Sequence, residues 1–244
     1  MADEIGVLQA MYTARGLRRF KPDPIPDEVL ARIMEAATRA PNATNLQKWR
    51  FIVIKDPEVR KAVAGFYKEA AEQILPQVER IFLDETRYLV PMEKAKRQQL
   101  FDNTIDGFNH FDVPPVLVLA CTYPEPARWE GNEDVLSPFI IERMKAMLSR
   151  ANASSIYHAV QNLTLAARNF GVATCMTNLH TLYEPEIKLL LGIPDEILTW
   201  ALLPLGYPYP DKFGPIRRKP ITEVVFLDHW GNPWPLEPPS YYKK

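Results

Sequence analysis

The chain has 244 residues, with 29 Lys and Arg against 30 Asp and Glu, for a formal charge of −1. Hydrophobic residues make up 47% of it, so a globular protein with an ample core is expected and wholesale disorder is excluded. The balanced charge gives no indication of nucleic-acid binding. The two cysteines and four histidines form no CxxC or HExxH motif, so no metal site is predicted.

The first predicted helix follows a proline-rich lead. Asp27 is a suitable N-cap, apolar residues recur at helical spacing from Leu30 onward, and Pro41 ends the pattern. The run WRFIVI at residues 49–54 is short, aromatic and β-branched, which predicts a buried strand. A second helix is expected over residues 58–72.

The middle of the chain alternates helices with a strand. Residues 75–110 are charged and helical in composition, with breaks expected at Pro76 and Pro91. They are interpreted as either a solvated helical hairpin or a variable lid over a site. VLVLACT at residues 116–122 predicts a buried strand. Two helices are then expected, over residues 137–149 and 153–170.

The last third is predicted to contain three strands and one helix. The strands are expected at residues 172–177, 198–205 and 223–227, and the helix at residues 184–191. Strands among more numerous helices without a regular βαβ rhythm indicate one α+β domain over residues 1–244.

The C-terminal stretch is unusual in composition. Nine of the 23 prolines lie between Pro204 and Pro239, interleaved with tyrosines and tryptophans. Proline excludes a helix, yet the aromatic content is too high for a disordered tail. Residues from about 206 to 244 are therefore expected to form an extended arm that packs on another surface.

Polar side chains concentrate in an N-terminal cluster, a loop and a C-terminal cluster. The two clusters are cationic, and they comprise Arg15, Arg18, Arg19 and Lys21 at one end and Arg217, Arg218 and Lys219 at the other. The loop, Pro41–Gln47, is rich in amides. The arginines are either ordinary solvated charges, or the two clusters together bind one multivalent anion.

Three segments in order resemble the FMN-dependent nitroreductase family. They are RGLRRFKPDPIPDEVLARIMEAATRAPNATNLQKWRF, ASSIYHAVQNLTLAARNFGVATCMTNLH and ALLPLGYPYPDKFGPIRRKPITEVV. The resemblance implies a nitroreductase-like fold, with a central, mostly antiparallel sheet flanked by helices. It implies FMN as cofactor and NAD(P)H as electron donor. It also implies a homodimer with both sites at the interface and a domain-swapped C-terminal arm.

The same resemblance implies a set of cofactor-binding residues. The phosphate would lie among Arg15, Gly16, Arg18, Arg217 and Arg218. The isoalloxazine ring and ribityl chain would meet the amide loop through Pro41, Asn42, Ala43, Asn45 and Gln47. Main chain at Thr177, Asn178 and Leu179 would face the ring, with a backbone N–H near flavin N5.

The implied activity is two-step hydride transfer from NAD(P)H through flavin N5 to an electron-poor acceptor such as a nitroaromatic or a quinone. This chemistry requires no catalytic side chain of the protein. No membrane partner is expected, and a cytoplasmic enzyme with a small-molecule acceptor is predicted. Reductive dehalogenation and ene reduction on the same fold remain alternatives. A non-catalytic FMN-binding or storage protein is a third.

Overall fold

The fold is that of a computed structural model, which describes residues 5–84, 92–124 and 134–236. Its helices and strands are listed in chain order: α1 Val7–Thr13, α2 Asp27–Thr38, β1 Trp49–Ile54, α3 Pro57–Glu69, α4 Leu75–Leu83, α5 Lys94–Asn109, β2 Val116–Thr122, α6 Pro138–Asn169, β3 Ala173–Thr174, α7 Glu184–Leu191 and β4 Leu198–Gly206. None of the helices within these ranges has the length and apolarity needed to cross a membrane.

The strands form one antiparallel sheet in the order β1-β2-β4-β3. Strand β2 is buried along its whole length because helices cover both faces. On one face α2 and α6 enclose a core that includes Ile33, Val118 and Leu203. On the other, α3, α5 and α7 pack over residues such as Leu117 and Leu202. The predicted α+β class is confirmed.

The aromatic residues of the second core pack with one another. The rings of Tyr67 and Phe111 stack at 3.9 Å between centroids, and Phe108 meets Tyr67 edge-on at 5.4 Å. Phe101 is also buried. Helix α5 therefore contributes an apolar face to the core, although part of the predicted lid, residues 85–91, lies outside the described residues.

Helix α6 differs from the prediction. Two helices were expected, but Pro138–Asn169 is one helix of 32 residues. The Ser137 hydroxyl accepts a bond from the Ile140 N–H at the N-terminus, and Gly171 takes a φ of 71° after the end. No proline or glycine stands between residues 149 and 153, so nothing interrupts the helix there.

Helix starts and breaks also depart from the prediction. The N-cap position of α2 is Pro26, and Asp27 is the first helical residue without a capping bond. Pro76 does not break the chain of helices, because a π-turn over Ala70–Ile74 joins α3 to α4. There the Leu75 N–H donates to Ala70 O, five residues back.

Two predicted strands are largely absent from the described structure. Only Ala173–Thr174 of residues 172–177 forms a strand, and Thr177 joins the sheet through an isolated bridge to Leu202. Residues 223–227 do not form one. The chain makes a 3₁₀ turn at Ile221–Glu223 and a bridge from Phe226 to Pro233. Proline supplies no N–H for a strand ladder.

Candidate active-site cleft

A cleft of about 670 Å³ opens beside the edge strand β3. Its wall is formed by the segment after α1, by one face of α6 and by the residues that follow β3. The segment is held on the sheet edge because the Leu17 N–H donates to Thr174 O at 3.1 Å. The cleft is lined by Ala14, Gly16, Arg18, Tyr157, Val160, Gln161, Thr164, Thr174, Cys175 and Met176.

Arg18 is the charged group of this cleft. Its stem packs across Gly107 of α5 so closely that a Cβ at Gly107 would stand 2.6 Å from Arg18 Cβ. Its Nε is buried and has no hydrogen-bond partner among the described residues. A cationic donor left without a partner costs free energy, so this site suits an anionic ligand.

Cys175 lies beside Arg18 and Gly16. A Cβ at Gly16 would stand 3.5 Å from Cys175 Sγ, an ordinary contact distance. Burial raises the pKa of the Cys175 thiol, and the charge of Arg18 opposes that rise only in part. The thiol is therefore neutral, which fits a buried structural residue rather than a nucleophile.

The two ends of the sequence meet near this cleft. The Ile216 N–H donates to Tyr12 O at 2.9 Å, and Arg15 Nη1 lies against Gly214. A second cavity, of about 570 Å³, is lined by Met11, Tyr12, Ile216, Arg218, Lys219, Pro220 and Ile221. Arg217 is exposed, and its carbonyl accepts a bond from Arg218 Nη1. The structure thus brings both arginine clusters to one region.

Arg19 lies apart from this arrangement. Its Nε binds Asp106 Oδ2 of α5 at 2.9 Å, in an exposed ion pair. Arg19 is not one of the predicted cofactor-binding residues.

The turn at Thr177–Leu179 presents one unpaired backbone donor. Thr177 uses both its N–H and its carbonyl in bonds to Leu202, at 3.0 and 2.9 Å, and the Leu179 N–H donates to Thr177 Oγ1. The Asn178 N–H has no acceptor in the described parts of the chain. Because the peptide is trans and its carbonyl points to β4, this N–H points away from the sheet.

The amide loop lies on the opposite side of α6. With Thr122, Tyr123 and Ser155 it encloses a water-sized cavity, and none of Pro41–Gln47 lines the 670 Å³ cleft. Ser155 faces the loop and Tyr157 faces the cleft, and two residues of helix turn a side chain by about 200°. One chain by itself therefore does not bring the loop to the arginines.

The loop has a strained backbone. Thr44, Asn45 and Gln47 have φ values of 50°, 53° and 48°, in the left-handed region that non-glycine residues rarely adopt. Asn42 Oδ1 accepts the Gln47 N–H at 2.9 Å, and Arg50 Nη1 donates to Gln47 O. Such strain clusters at ligand-binding sites.

Several cleft residues were not predicted. Tyr157, Val160, Gln161 and Thr164 follow helical spacing and form one stripe of α6. Apolar residues of the same helix, such as Ile156 and Leu163, pack in the core, so hydrophobic spacing alone does not mark this second stripe. Met176, which is 47% exposed, was also missed, and its exposure in an apolar run carries no sequence signal.

A buried polar chain lies under the turn. Thr199 Oγ1 donates to Glu184 Oε1 at 2.5 Å, so it accepts from His180 Nε2, 3.2 Å away. His180 is fully buried, and burial lowers its pKa to about 4. Its ring is therefore neutral near pH 7 and carries its proton on Nε2.

The sequence matches a known family over most of its length. The model of the Nitroreductase family matches residues 13–207. The chain belongs to the Nitroreductase family. This confirms the resemblance drawn from the three sequence segments.

Relatives of this nitroreductase-family chain have several names. It is 28% identical over 232 residues to a protein named NADH dehydrogenase from Thermus thermophilus, covering 92% of this chain and 98% of that one. It is 24% identical over 212 residues to iodotyrosine deiodinase 1 of Rattus norvegicus. That match covers 86% of this chain and spans 65% of the deiodinase.

A solved structure supports the same fold. A nitroreductase with bound FMN from Desulfitobacterium hafniense superimposes with a TM-score of 0.61 at 18% identity. The match covers 93% of this chain and all of that one.

Proposed function

We propose that this chain is an FMN-dependent oxidoreductase that uses NAD(P)H to reduce an electron-poor acceptor such as a nitroaromatic or a quinone. The observation that carries the proposal is the buried, unpartnered Nε of Arg18 in a cleft of about 670 Å³. That volume lies within the range of roughly 300–1,000 Å³ usual for cofactor sites. Family membership and the FMN bound in a related structure support the choice of cofactor.

The residues present fit FMN. Arg18 would hold the phosphate together with Arg15 and Arg218, which approach from the two ends of the sequence. Gly16 has no side chain, so the backbone there leaves room for a ligand beside Cys175. The mixed lining of Tyr157 and its neighbours on α6 suits a ring and a polyol chain.

The chemistry that bound FMN supplies is hydride transfer, in one half-reaction from NAD(P)H and in a second to the acceptor. The protein's own contribution is to bind and orient. The outward N–H of Asn178 would act as a fixed donor toward developing negative charge, which needs no reorganisation during the reaction. His180 is fully buried and does not line the cleft, and the raised pKa of the Cys175 thiol keeps that group protonated, so neither is assigned a proton-transfer role.

The position of the amide loop supports a homodimer. Because it lies across α6 from the cleft, a complete site of the kind that the family resemblance implies requires the loop of a second copy. The described part of the C-terminal arm supports the same proposal, since Trp230 is 92% exposed and Leu236 is 65% exposed. We therefore propose a homodimer in which each copy supplies its loop to the other's cleft.

Light scattering during size-exclusion chromatography tests the dimer. The native chain should elute at twice the mass of one copy, and Trp230→Ala should shift the equilibrium toward the monomer. Leu189→Ala, at an exposed apolar residue of α7 outside both the arm and the amide loop, is the matched control. A monomeric native chain with full FMN affinity would refute the shared site.

Anaerobic titration tests the activity. The purified protein should be yellow, and NADH or NADPH should bleach its flavin absorbance. Menadione or 4-nitrobenzoate should then restore the colour. A yellow protein that neither nicotinamide bleaches would contradict the oxidoreductase and favour FMN storage, whereas a colourless protein that does not take up FMN would contradict the cofactor.

Reductive dehalogenation is the second candidate, because the named relatives include iodotyrosine deiodinase 1 of the rat. The same titration separates the two. If the reduced protein is reoxidised by iodotyrosine with release of iodide, and not by the nitroarene, dehalogenation is the activity.

A further inference from the structure

The side chain of Asn178 forms a clamp beneath the turn that presents the unpaired N–H. Its Nδ2 donates to the carbonyl oxygen of Trp200 at 2.6 Å and to the hydroxyl of Tyr157 at 2.8 Å. Both hydrogens of the carboxamide are thereby used within the protein. The Asn178 side chain is therefore not available to read a ligand through its NH₂ group.

The partners of this clamp are themselves held. The Tyr157 hydroxyl donates to Trp200 O at 3.3 Å, and the two rings meet edge-on at 6.2 Å. Trp200 Nε1 donates to Thr122 Oγ1 at 2.7 Å, which ties the indole to β2. The clamp thus joins a cleft-lining residue of α6 to two central strands.

The clamp acts on the peptide that carries the free donor. The Asn178 carbonyl accepts bonds from the N–H and the hydroxyl of Thr181, at 3.0 and 2.8 Å, and the preceding carbonyl of Thr177 binds Leu202. With both flanking carbonyls and the side chain engaged, the N–H of Asn178 has one orientation. A donor held in this way is preorganised.

We infer that the Asn178 side chain is a positioning group, which sets the orientation of its own backbone N–H through Trp200 and Tyr157 and so tunes the reduction potential of the bound cofactor. This inference rests on the proposed function, because it requires that FMN binds in the cleft. A positioned donor favours the form of the cofactor that carries more negative charge, and hence raises the potential.

The test compares FMN-loaded wild type with Asn178→Ala, Tyr157→Phe and Asn162→Ala. Asn162 is the matched control, because its Nδ2 also binds a backbone carbonyl, Ala36 O at 3.3 Å, from the same helix as Tyr157 but toward α2. Midpoint potentials are measured by equilibration with a reference dye. Thermal unfolding of the FMN-free proteins is measured in parallel.

We expect Asn178→Ala to bind reduced FMN about tenfold more weakly relative to oxidised FMN, which is a fall in midpoint potential of about 30 mV. Tyr157→Phe, which keeps the Trp200 bond, should give a smaller fall in the same direction. Asn162→Ala should lower the unfolding temperature without moving the potential.

The result that would overturn the inference is a potential unchanged in both clamp variants, even where stability falls. If Asn178→Ala does not fold, Tyr157→Phe alone decides. Failure of the proposed function gives a different result, since the wild-type protein itself would then not take up FMN, and the inference would fall with it.

Discussion

The guanidinium of Arg15 lies against the backbone of Gly214, where a Cβ would stand 3.3 Å from Arg15 Nη1. The two residues come from opposite ends of the sequence, and their contact closes the N-terminal arginine segment against the C-terminal basic segment. The Tyr12–Ile216 backbone bond, at 2.9 Å, secures the same junction.

Replacing the two arginines on either side of this junction should weaken FMN binding. Charge-assisted hydrogen bonds contribute about 1.5–3 kcal/mol each, so Arg15→Ala with Arg218→Ala should raise the FMN dissociation constant by about 100-fold or more. Fluorescence quenching of FMN measures it. Arg39→Ala, which removes an exposed partner of Glu35, is the control and should leave the constant unchanged. Retained affinity in the double variant would show that the phosphate lies elsewhere.

Two helical glycines make a matched pair for testing whether the Arg18 side chain packs against α5. A methyl at Gly107 would meet Arg18 Cβ at 2.6 Å and Cδ at 2.8 Å, while a methyl at Gly65 would meet nothing within 4 Å. Gly65→Ala should therefore stabilise the fold by about 0.5–1 kcal/mol through helix propensity. Gly107→Ala should instead destabilise it by about 1–3 kcal/mol and weaken FMN binding, because Arg18 must move.

Chemical denaturation of both glycine variants, with FMN titrations, checks this prediction. Equal stabilisation by the two substitutions would mean that Arg18 does not pack on α5.

The strained loop should show opposite effects on stability and on binding. Thr44 has φ 50°, where a β-branched residue loses roughly 1–2 kcal/mol, so Thr44→Gly should raise the free energy of unfolding by up to about 1 kcal/mol. A looser loop should bind FMN less tightly. Thr44→Ala keeps a Cβ at the same φ and should gain less. Tighter FMN binding by the glycine variant would argue that the loop does not take part in the site.

His180 should make stability depend on pH. Its folded-state pKa, lowered by burial from 6.5 to about 4, means that only the unfolded chain binds its proton between those values. Stability contributed by the neutral ring is therefore complete above pH 6.5 and is lost as the pH falls toward 4, by about 2 kcal/mol between pH 6.5 and about pH 5. Burial raises the pKa of Glu184, but the two bonds from Thr199 and the charge of Lys188 together outweigh it and lower that pKa overall, so Glu184 adds a loss of stability at still lower pH.

Urea denaturation at several pH values measures this dependence. His180→Gln lacks the titrating ring and should show a shallower slope between pH 6.5 and 5. Parallel profiles for the two proteins would mean that His180 titrates normally.

The sequence predicted the elements whose patterns are local. WRFIVI and VLVLACT form strands at the expected residues, and α7 has the predicted bounds, because a buried strand or a capped helix is marked by its own residues. The predicted ends of helices and strands were wrong where packing against another segment sets them. The unity of α6 and the shortness of β3 depend on what the rest of the fold packs against them.

The candidate site shows the same division. Local motifs and the family resemblance predicted Arg15, Arg18, the amide loop and the turn at Asn178 as site residues, and the near-neutral net charge gave no indication of a nucleic-acid partner. Only the tertiary structure showed that Arg15 meets Gly214, that the loop lies across α6 from the cleft, and that the Asn178 carboxamide binds Trp200 and Tyr157. These are contacts between distant segments, and they depend on the direction of each side chain, which sequence spacing does not contain.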